Sequence, residues 1–408
     1  MKIAVIGAGI IGVTTAWELA RDGHNVTVLE RRGAVAEEAS FANAGIMAPG
    51  MPIKTNLHLL NRFASLKVGL PLTRRELAWM WRCYRSAKFD TSQTHLTYLQ
   101  RLASFSRERL HHITAELKLD YERSDGYTVL LRTENDSQLM QPGLQTLREA
   151  GVAFKEIDPV ETRKTETALN PDTDFFGAIH LPDAEVGNCR QFALLLKNEA
   201  QQLGVKFEFN TTVTQIQPAK GITLHFAGES IARNYDAAVM CAGLDSHKLL
   251  SPLGLKIPLA AVYGYSVSAT IREPLNGPRS AVMDERYGVA ISRLGNRVRV
   301  AGSTEFGGSP DKKCANSLQT LYKVLHDWFP GAANLSNGVQ EWKGARPMLP
   351  DGLPILGASG LAGLWLNLGQ GANGWGLCCG SARVLADQMG RRTPELDLTG
   401  LSIERLRI

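Results

Sequence analysis

The hydrophobic pattern at the start of the chain switches between two periods. An apolar run over Lys2–Ile6 gives way to glycines, a helical period follows over 11–22, and a second apolar run covers Asn25–Leu29. Short unbroken apolar runs bounded by turn residues read as strands buried on both faces, and the period near 3.6 between them reads as a crossover helix. Gly23 supplies the helix stop. Together these predict a βαβ unit and a parallel sheet. A helix-rich stretch runs to about residue 118, with strand-like segments at 127–132 and 154–157. A second α/β stretch then begins: a helix over 190–203 and strands over 205–210, 213–217 and 236–241, ending at Ala242-Gly243. The pattern changes to strand alternation over 261–271, 288–293 and 297–302, and a helix is expected around 317–328. The last unit is a strand over Leu364–Leu368, a glycine turn and a helix over 376–389. There is no internal repeat. The α/β pieces come in three instalments, which predicts two units built from discontinuous segments. One is a Rossmann-type α/β domain from 1–48, 186–250 and 344–408; the other is a β-rich α+β domain from 49–185 and 251–343.

Composition narrows the class without changing the layout. The 408 residues are 44% hydrophobic and 21% charged, an ordinary globular balance. The net charge of +5 is spread along the chain, which gives nucleic-acid binding no support. Cys83, Cys189, Cys241, Cys314, Cys378 and Cys379 show no metal-ligand spacing, so no metal is expected and the thiols read as reduced and cytoplasmic. The neighbours Cys378 and Cys379 read as packing residues on a helix. The N-terminus reads as a buried strand rather than a signal peptide, and no run of about 18 apolar residues predicts a membrane span.

The chemistry begins at Gly7-Ala8-Gly9-Ile10-Ile11-Gly12, a G-x-G-x-x-G turn between a strand and a helix. Gly7 permits the tight turn, Gly9 lets the backbone approach a pyrophosphate, and Gly12 lets the helix pack on the strand. Phosphates are then expected at the helix start, where the first-turn N–H groups of Ile10, Ile11 and Gly12 and the helix dipole favour anions. Glu30 ends the second strand, where a carboxylate suits a ribose 2′-OH and disfavours a 2′-phosphate. Arg31 follows it and is counted with the same site. These residues alone leave FAD and NAD open. Gly369-Gln370-Gly371-Ala372-Asn373-Gly374 repeats the pattern between a strand and a helix, but too little chain follows for a second acid-bearing strand. A helix start there suits the electron-rich end of a flavin ring, so the pair of turns reads as one FAD held from both ends.

With these motifs the chain resembles the D-amino-acid oxidase-like family of FAD-dependent oxidoreductases. Within it the likeness is strongest to the D-amino acid dehydrogenase branch of small-subunit type, and glycine oxidases are more distant. The resemblance spans nearly the whole chain. It rests on the fingerprint with Glu30, on Ser40-Phe41-Ala42-Asn43-Ala44-Gly45, on Met240-Cys241-Ala242-Gly243, on the run from Gly344 through Arg346 and Pro347 to Gly352, and on Gly369 to Gly376 with Trp375. It implies that Ser40, Asn43, Ala44 and Gly45 line the flavin, that Val213 meets the adenine through its backbone, and that Ala242 and Gly243 lie near the pyrophosphate. It also implies that Gly371, Ala372, Asn373, Gly374 and Trp375 cap the ring. Arg346 is the implied anchor for an amino acid carboxylate, a task its planar guanidinium suits. Tyr287 is implied to share that carboxylate, while Tyr265 reads as core.

Two departures from the family matter. Many relatives carry a lysine where this chain has Tyr263, and in related oxidases a lysine near the flavin assists oxygen, so the resemblance favours a dehydrogenase. Some relatives bind the flavin through a cysteine near the Arg346 segment; Gly344 stands here, so FAD is expected to be non-covalent. The implied reaction is oxidative deamination of D-amino acids to 2-oxo acids and ammonia, with hydride passing from Cα to flavin N5. No protein base is required, and His111, His112, His180 and His247 are read as surface or satisfied groups. Cyclic D-imino acids such as D-proline and hydroxyproline, or glycine and sarcosine, are the alternative substrates. An FAD-carrying electron-transfer subunit is the alternative class, though such a carrier needs no carboxylate anchor. The implied electron acceptor is a respiratory quinone, with the chain cytoplasmic and in peripheral contact with the inner face of the membrane. The stretch 57–89 has the composition for that contact: Trp79, Met80 and Trp81 beside Arg74, Arg75, Arg82 and Arg85.

Overall fold

The computed structural model describes residues 1–48, 66–69, 71–88 and 91–406. In chain order, β1 (Lys2–Ile6), α1 (Ile10–Arg21) and β2 (Asn25–Leu29) are followed by β3 (Ile46–Met47), β4 (Leu66–Gly69), α2 (Arg74–Lys88) and α3 (Thr91–Leu117). Next come β5 (Ser124–Leu131), α4 (Glu134–Glu149), β6 (Lys155–Ile157), α5 (Pro159–Thr165), β7 (Gly177–Val186) and α6 (Cys189–Gln202). The middle of the chain holds β8 (Lys206–Glu208), β9 (Val213–Pro218), β10 (Ile222–Phe226), β11 (Arg233–Tyr235), β12 (Ala237–Met240) and α7 (Ser246–Leu250). Strands β13 (Ala260–Thr270), β14 (Ala281–Asp284), β15 (Val289–Leu294) and β16 (Arg297–Gly307) precede α8 (Ala315–Trp328). The last elements are β17 (Gln340–Met348), β18 (Ile355–Ala358), β19 (Leu364–Leu368) and α9 (Gly374–Met389).

Six strands in the order β18-β19-β12-β1-β2-β8 form the first sheet, parallel from β19 to β8, with β18 antiparallel at the edge. Because strand side chains alternate, Ile3 and Val5 pack under α1, α6 and α9, while Ala4 and Ile6 face a second core with the β9-β10-β11 sheet. This is the predicted Rossmann-type unit, built from separated segments. The second sheet runs β17-β13-β16-β15-β14-β5-β7-β3, with β4 on β16 and β6 on β7. Tyr265, Val267, Ile291, Val298 and Val300 face α8. On the opposite face α4 covers the β5 and β7 end, and the segment 43–45 lies against the middle.

Three segments depart from the expected boundaries. Residues 344–348 belong to β17 of the large sheet rather than to the dinucleotide unit, because β17 pairs along its whole length with β13. Residues 46–47 also join that sheet, through β7. Helix α3, expected with the second unit, packs on α1 and α9 instead. Its Arg109 meets the fully buried Glu18 of α1 at 2.6 and 2.8 Å, and Arg383 of α9 meets the same carboxylate at 2.6 Å. A buried carboxylate needs such partners, and removing one typically costs about 3–5 kcal/mol. Helix α4 was not expected from the periodicity because Pro142 interrupts it, yet a capping box between Thr133 and Asp136 starts the helix.

Candidate active site

The two glycine turns and the segments between them gather at the carboxyl ends of the parallel strands, where open α/β sheets bind ligands. Gly7 has a φ of +104°, and a Cβ there would lie 2.6 Å from the Cys241 carbonyl oxygen. A Cβ on Gly12 would lie 1.9 Å from the Gly7 oxygen, so the close helix–strand approach admits only glycine. At Gly9 a Cβ would meet only Ser40 Oγ, at 3.6 Å, which leaves that side open for a ligand. In the first turn of α1 the Ile10 N–H donates to Ser40 Oγ at 3.1 Å and the Val13 N–H to Gly9 O at 3.0 Å. Among the described residues the N–H groups of Ile11 and Gly12 have no partner, and helix geometry aims them out of the helix start.

Glu30 is 9% exposed and organises this turn itself. Its Oε2 accepts the Ala8 N–H at 2.7 Å and its Oε1 accepts the Arg32 N–H at 2.8 Å. A carboxylate oxygen accepts more than one bond, so a ribose hydroxyl can still be received. Arg31 ion-pairs with Asp245 and with Glu38 at 2.8 Å, which ties the end of β2 to the turn after Ala242 and Gly243. Val213 starts β9 just beyond Thr211, whose N–H donates to the Glu30 carbonyl at 2.8 Å.

The segment 40–45 is held by donors from three elements. Arg299 Nη1 of β16 donates to Asn43 O at 3.1 Å, and Ser292 Oγ of β15 to Ala44 O at 2.7 Å. Trp375 Nε1 of α9 donates to Gly45 O at 3.1 Å. Gly45 has a φ of +75°, and its N–H donates to Asn43 Oδ1 at 3.0 Å. The Trp375 side chain points into the core. Its ring is 5% exposed and packs edge-on against Tyr121 and close to Phe192, so the side chain supports the segment rather than facing a ligand. The indole N–H explains this, since a buried donor needs an acceptor.

The second glycine turn is tied to the first by a buried chain of bonds. Gln370 Nε2 donates to Asn367 Oδ1 at 2.6 Å, and Asn367 Nδ2 donates to Thr15 Oγ1 of α1 at 3.1 Å. The same turn touches the strand of Arg346, because Gln370 bridges Met348, and a Cβ on Gly371 would lie 3.2 Å from Met348 Cγ. Ala372 and Asn373 complete the short turn that leads into α9 at Gly374. Asn367 and Gln370 were not singled out from the sequence. Their polar side chains in an otherwise apolar strand end were the available signal.

Arg346 lies on β17 opposite Val262, which lies opposite Phe306 on β16, so the three share one face. Its guanidinium lies over Gly264, where a Cβ would come within 2.3 Å of Nη2. It is half-buried, has no hydrogen-bond or ion-pair partner among the described residues, and burial pushes its pKa down. Trp79 of α2 closes this end: its ring stacks on Phe306 at 4.9 Å, and its Nε1 donates to Met348 O at 3.2 Å. Trp342, on the same face as Gly344, occupies the space where a side chain at 344 would project.

Tyr287 is not brought to Arg346. Its N–H bonds Asp284 Oδ1, and its partly buried ring lies 5.0 Å from both Arg132 and Lys323, against the core under α8. That is the opposite face of the sheet: Tyr287 belongs to the turn between β14 and β15, and the turn carries it to the α8 side. Tyr265 is on that face too, bonded to Glu305, as expected for a core residue. Lys343 Nζ sits 4.3 Å over the Tyr263 ring, but it is committed to Glu305 Oε1 at 3.1 Å and to two carbonyls. Among the described residues no cluster of His, Cys, Asp or Glu could hold a metal, and no two cysteines are joined in a disulfide.

FAD fits this arrangement on three observations: a turn that only glycine permits, helix N–H groups without a partner among the described residues, and the buried Arg299 and half-buried Arg346 on one sheet face, neither in an ion pair among those residues. The comparisons with known proteins agree. Residues 2–388 match the model of the FAD dependent oxidoreductase family, DAO. The chain is 37% identical to the D-amino acid dehydrogenase of Rhodopseudomonas palustris (strain HaA2), over 99% of this chain and 98% of that one. In fold it is similar to glycine oxidase from Geobacillus kaustophilus, with a TM-score of 0.80, 22% identity and 98% and 97% of the two chains covered. L-proline dehydrogenase from P. horikoshii superimposes with a TM-score of 0.76 at 17% identity, over 100% and 97%. This chain is therefore an enzyme of the DAO family of FAD-dependent oxidoreductases.

Proposed function

We propose that the chain is a D-amino acid dehydrogenase that oxidatively deaminates D-amino acids to 2-oxo acids and ammonia. Arg346 carries this reading. A half-buried guanidinium over a glycine floor, without an acid partner among the described residues, is suited to an incoming carboxylate. The D preference rests on the relative that is 37% identical over nearly the whole chain.

FAD, when bound, supplies the two-electron acceptor for the Cα–H bond. Gly7, Gly9, Ile10, Ile11 and Gly12 would hold its pyrophosphate and Glu30 its ribose. Ser40, Asn43, Ala44, Gly45 and the turn at 371–374 would hold its ring. Attachment is read as non-covalent, since Gly344 offers no side chain and Trp342 fills the space beside it. The chain's own work is to orient. Two parallel N–H groups of Arg346 fix the carboxylate and with it the direction of Cα. The stacked Trp79 and Phe306 keep water from that end. Imine hydrolysis then needs only water.

Electrons are read as leaving to a quinone-type acceptor at the cytoplasmic face of the inner membrane. Among the described residues no helix is long and apolar enough to cross a membrane. Helix α2, however, exposes Leu77, Met80, Trp81 and Tyr84 along one stripe, with four arginines nearby. Residues 57–65, 70 and 89 of the proposed membrane segment lie outside the described residues.

An anaerobic panel of D- and L-amino acids, D-proline and glycine added to the purified holoenzyme tests the reading. Flavin bleaching is expected with D-amino acids and slow reoxidation by oxygen compared with a quinone analogue. Bleaching by L-amino acids alone, or by none of the panel, would overturn it.

A further inference from the structure

We propose that Arg299 is a positioning residue for the flavin: it orients the Asn43–Ala44 peptide so that the Ala44 N–H faces the cofactor, and it sets a fixed positive charge behind that peptide. The inference rests on the reading that residues 40–45 line the flavin.

Arg299 lies in the middle of β16 and is only 8% exposed. Its cross-strand partners Ser268 and Ser292 put it on the same sheet face as Arg346. It donates from Nε to Ser268 Oγ at 2.9 Å and from Nη1 to Asn43 O at 3.1 Å. Among the described residues it makes no ion pair. Burial pushes its pKa down to about 10, which still leaves it a cation at neutral pH. A buried charge without an ion-pair partner is strongly unfavourable, and an apolar side chain would serve packing better. Glu122 acts on it only from beyond contact distance, so much of that cost is left for a ligand to offset.

Peptide geometry says where that ligand sits. In a trans peptide the N–H points away from the C=O of the preceding residue. With Asn43 O held by Arg299, the Ala44 N–H is turned away from Arg299. The neighbouring groups are all committed: Ala44 O to Ser292, the Gly45 N–H to Asn43 Oδ1, and Gly45 O to Trp375. Among the described residues the Ala44 N–H is the donor left over. A second orphan faces the same way: Ser266 Oγ is buried without a partner among those residues, between Gly264 and Ser268 on this strand face. A flavin ring, which gains negative charge on reduction, satisfies both the donor and the cation.

The test uses FAD titration of apoprotein, followed by fluorescence, and the two-electron midpoint potential of the reconstituted enzyme by dye equilibration. Arg299→Met is expected to raise the FAD dissociation constant at least tenfold and to move the potential negative. Arg299→Lys is expected to return the potential to near that of the unaltered enzyme while recovering only part of the affinity. Asn43→Ala serves as the control on the segment. If it weakens FAD binding while Arg299→Met changes neither constant, Arg299 is core filler and the proposal falls alone. If Asn43→Ala leaves FAD binding unchanged, the reading of 40–45 falls and takes the proposal with it. Should Arg299→Met fail to fold, Ser268→Ala and Arg299→Lys decide: undiminished FAD affinity in both overturns the proposal, and a loss of affinity in either supports it.

Discussion

At the scale of single residues, Arg346 and Arg299 share one property, a guanidinium that makes no ion pair among the described residues. Arg346 gains its room from the missing side chain of Gly264. Replacing Arg346 by alanine is expected to raise KM for D-amino acids by the equivalent of about 2–4 kcal/mol, since charge-assisted bonds are worth roughly 1.5–3 kcal/mol each. Lysine at 346 should fall between, because it keeps the charge and loses the fork. Steady-state kinetics with a dye acceptor would check this, and an unchanged KM in the alanine variant would remove Arg346 from substrate binding. Tyr287→Phe should alter KM less than about twofold, because its ring lies under Arg132 and Lys323 on the far face. The two residues show how far a motif reads. Arg346 stands among glycine and proline in a recognisable run. Tyr287 was assigned by position alone, and nothing in Asp284-Glu285-Arg286-Tyr287 says on which sheet face the tyrosine falls.

Among the elements, α2 has two working faces. Its inner face sends Trp79 to Phe306 and Met348. Its outer face exposes Trp81 at 57% and Leu77 at 54%, with the Arg85 guanidinium 4.8 Å from the Trp81 ring centre. Basic and aromatic residues on an exposed helix are the composition of an interfacial anchor. Replacing Leu77 and Trp81 together by serine should reduce binding to anionic liposomes at least about tenfold, as each large side chain contributes roughly 1.5–3 kcal/mol when buried in lipid. Turnover with a water-soluble dye should stay unchanged. Flotation would measure the first, and equal flotation of altered and unaltered chains would end the membrane reading. The aromatic-basic composition of this helix was legible in the sequence. Its contact with Met348 was not, because residues 79 and 348 meet only through folding.

For the whole molecule, Glu166 offers a pH-dependent measure of how the large sheet is tied together. It is 3% exposed and accepts the Arg279 N–H at 2.9 Å, and burial pushes its pKa up to about 7 from 4.5. The folded chain thus keeps a proton that the unfolded chain releases. The resulting stability is fully present below about pH 4.5 and is lost as pH rises through about 7. Glu166→Gln keeps an acceptor and removes the titration. Its stability advantage over the unaltered chain should grow across that window, by on the order of 3 kcal/mol. Thermal melts at several pH values would read it, and a difference independent of pH would refute it.

By itself the sequence determined the βαβ start, the discontinuous α/β unit and the two glycine turns, because these depend on local periodicity and on residues close together in the chain, and the pair of turns with the family motifs pointed to FAD. Tertiary structure alone decided which side chains meet. It moved Tyr287 away from Arg346, gave 344–348 to the large sheet and α3 to the core of the dinucleotide unit, and turned Trp375 inward to hold Gly45. Sheet face and strand partner depend on pairings between residues far apart, such as Val262 with Arg346 or Ser268 with Arg299, and no local pattern encodes them.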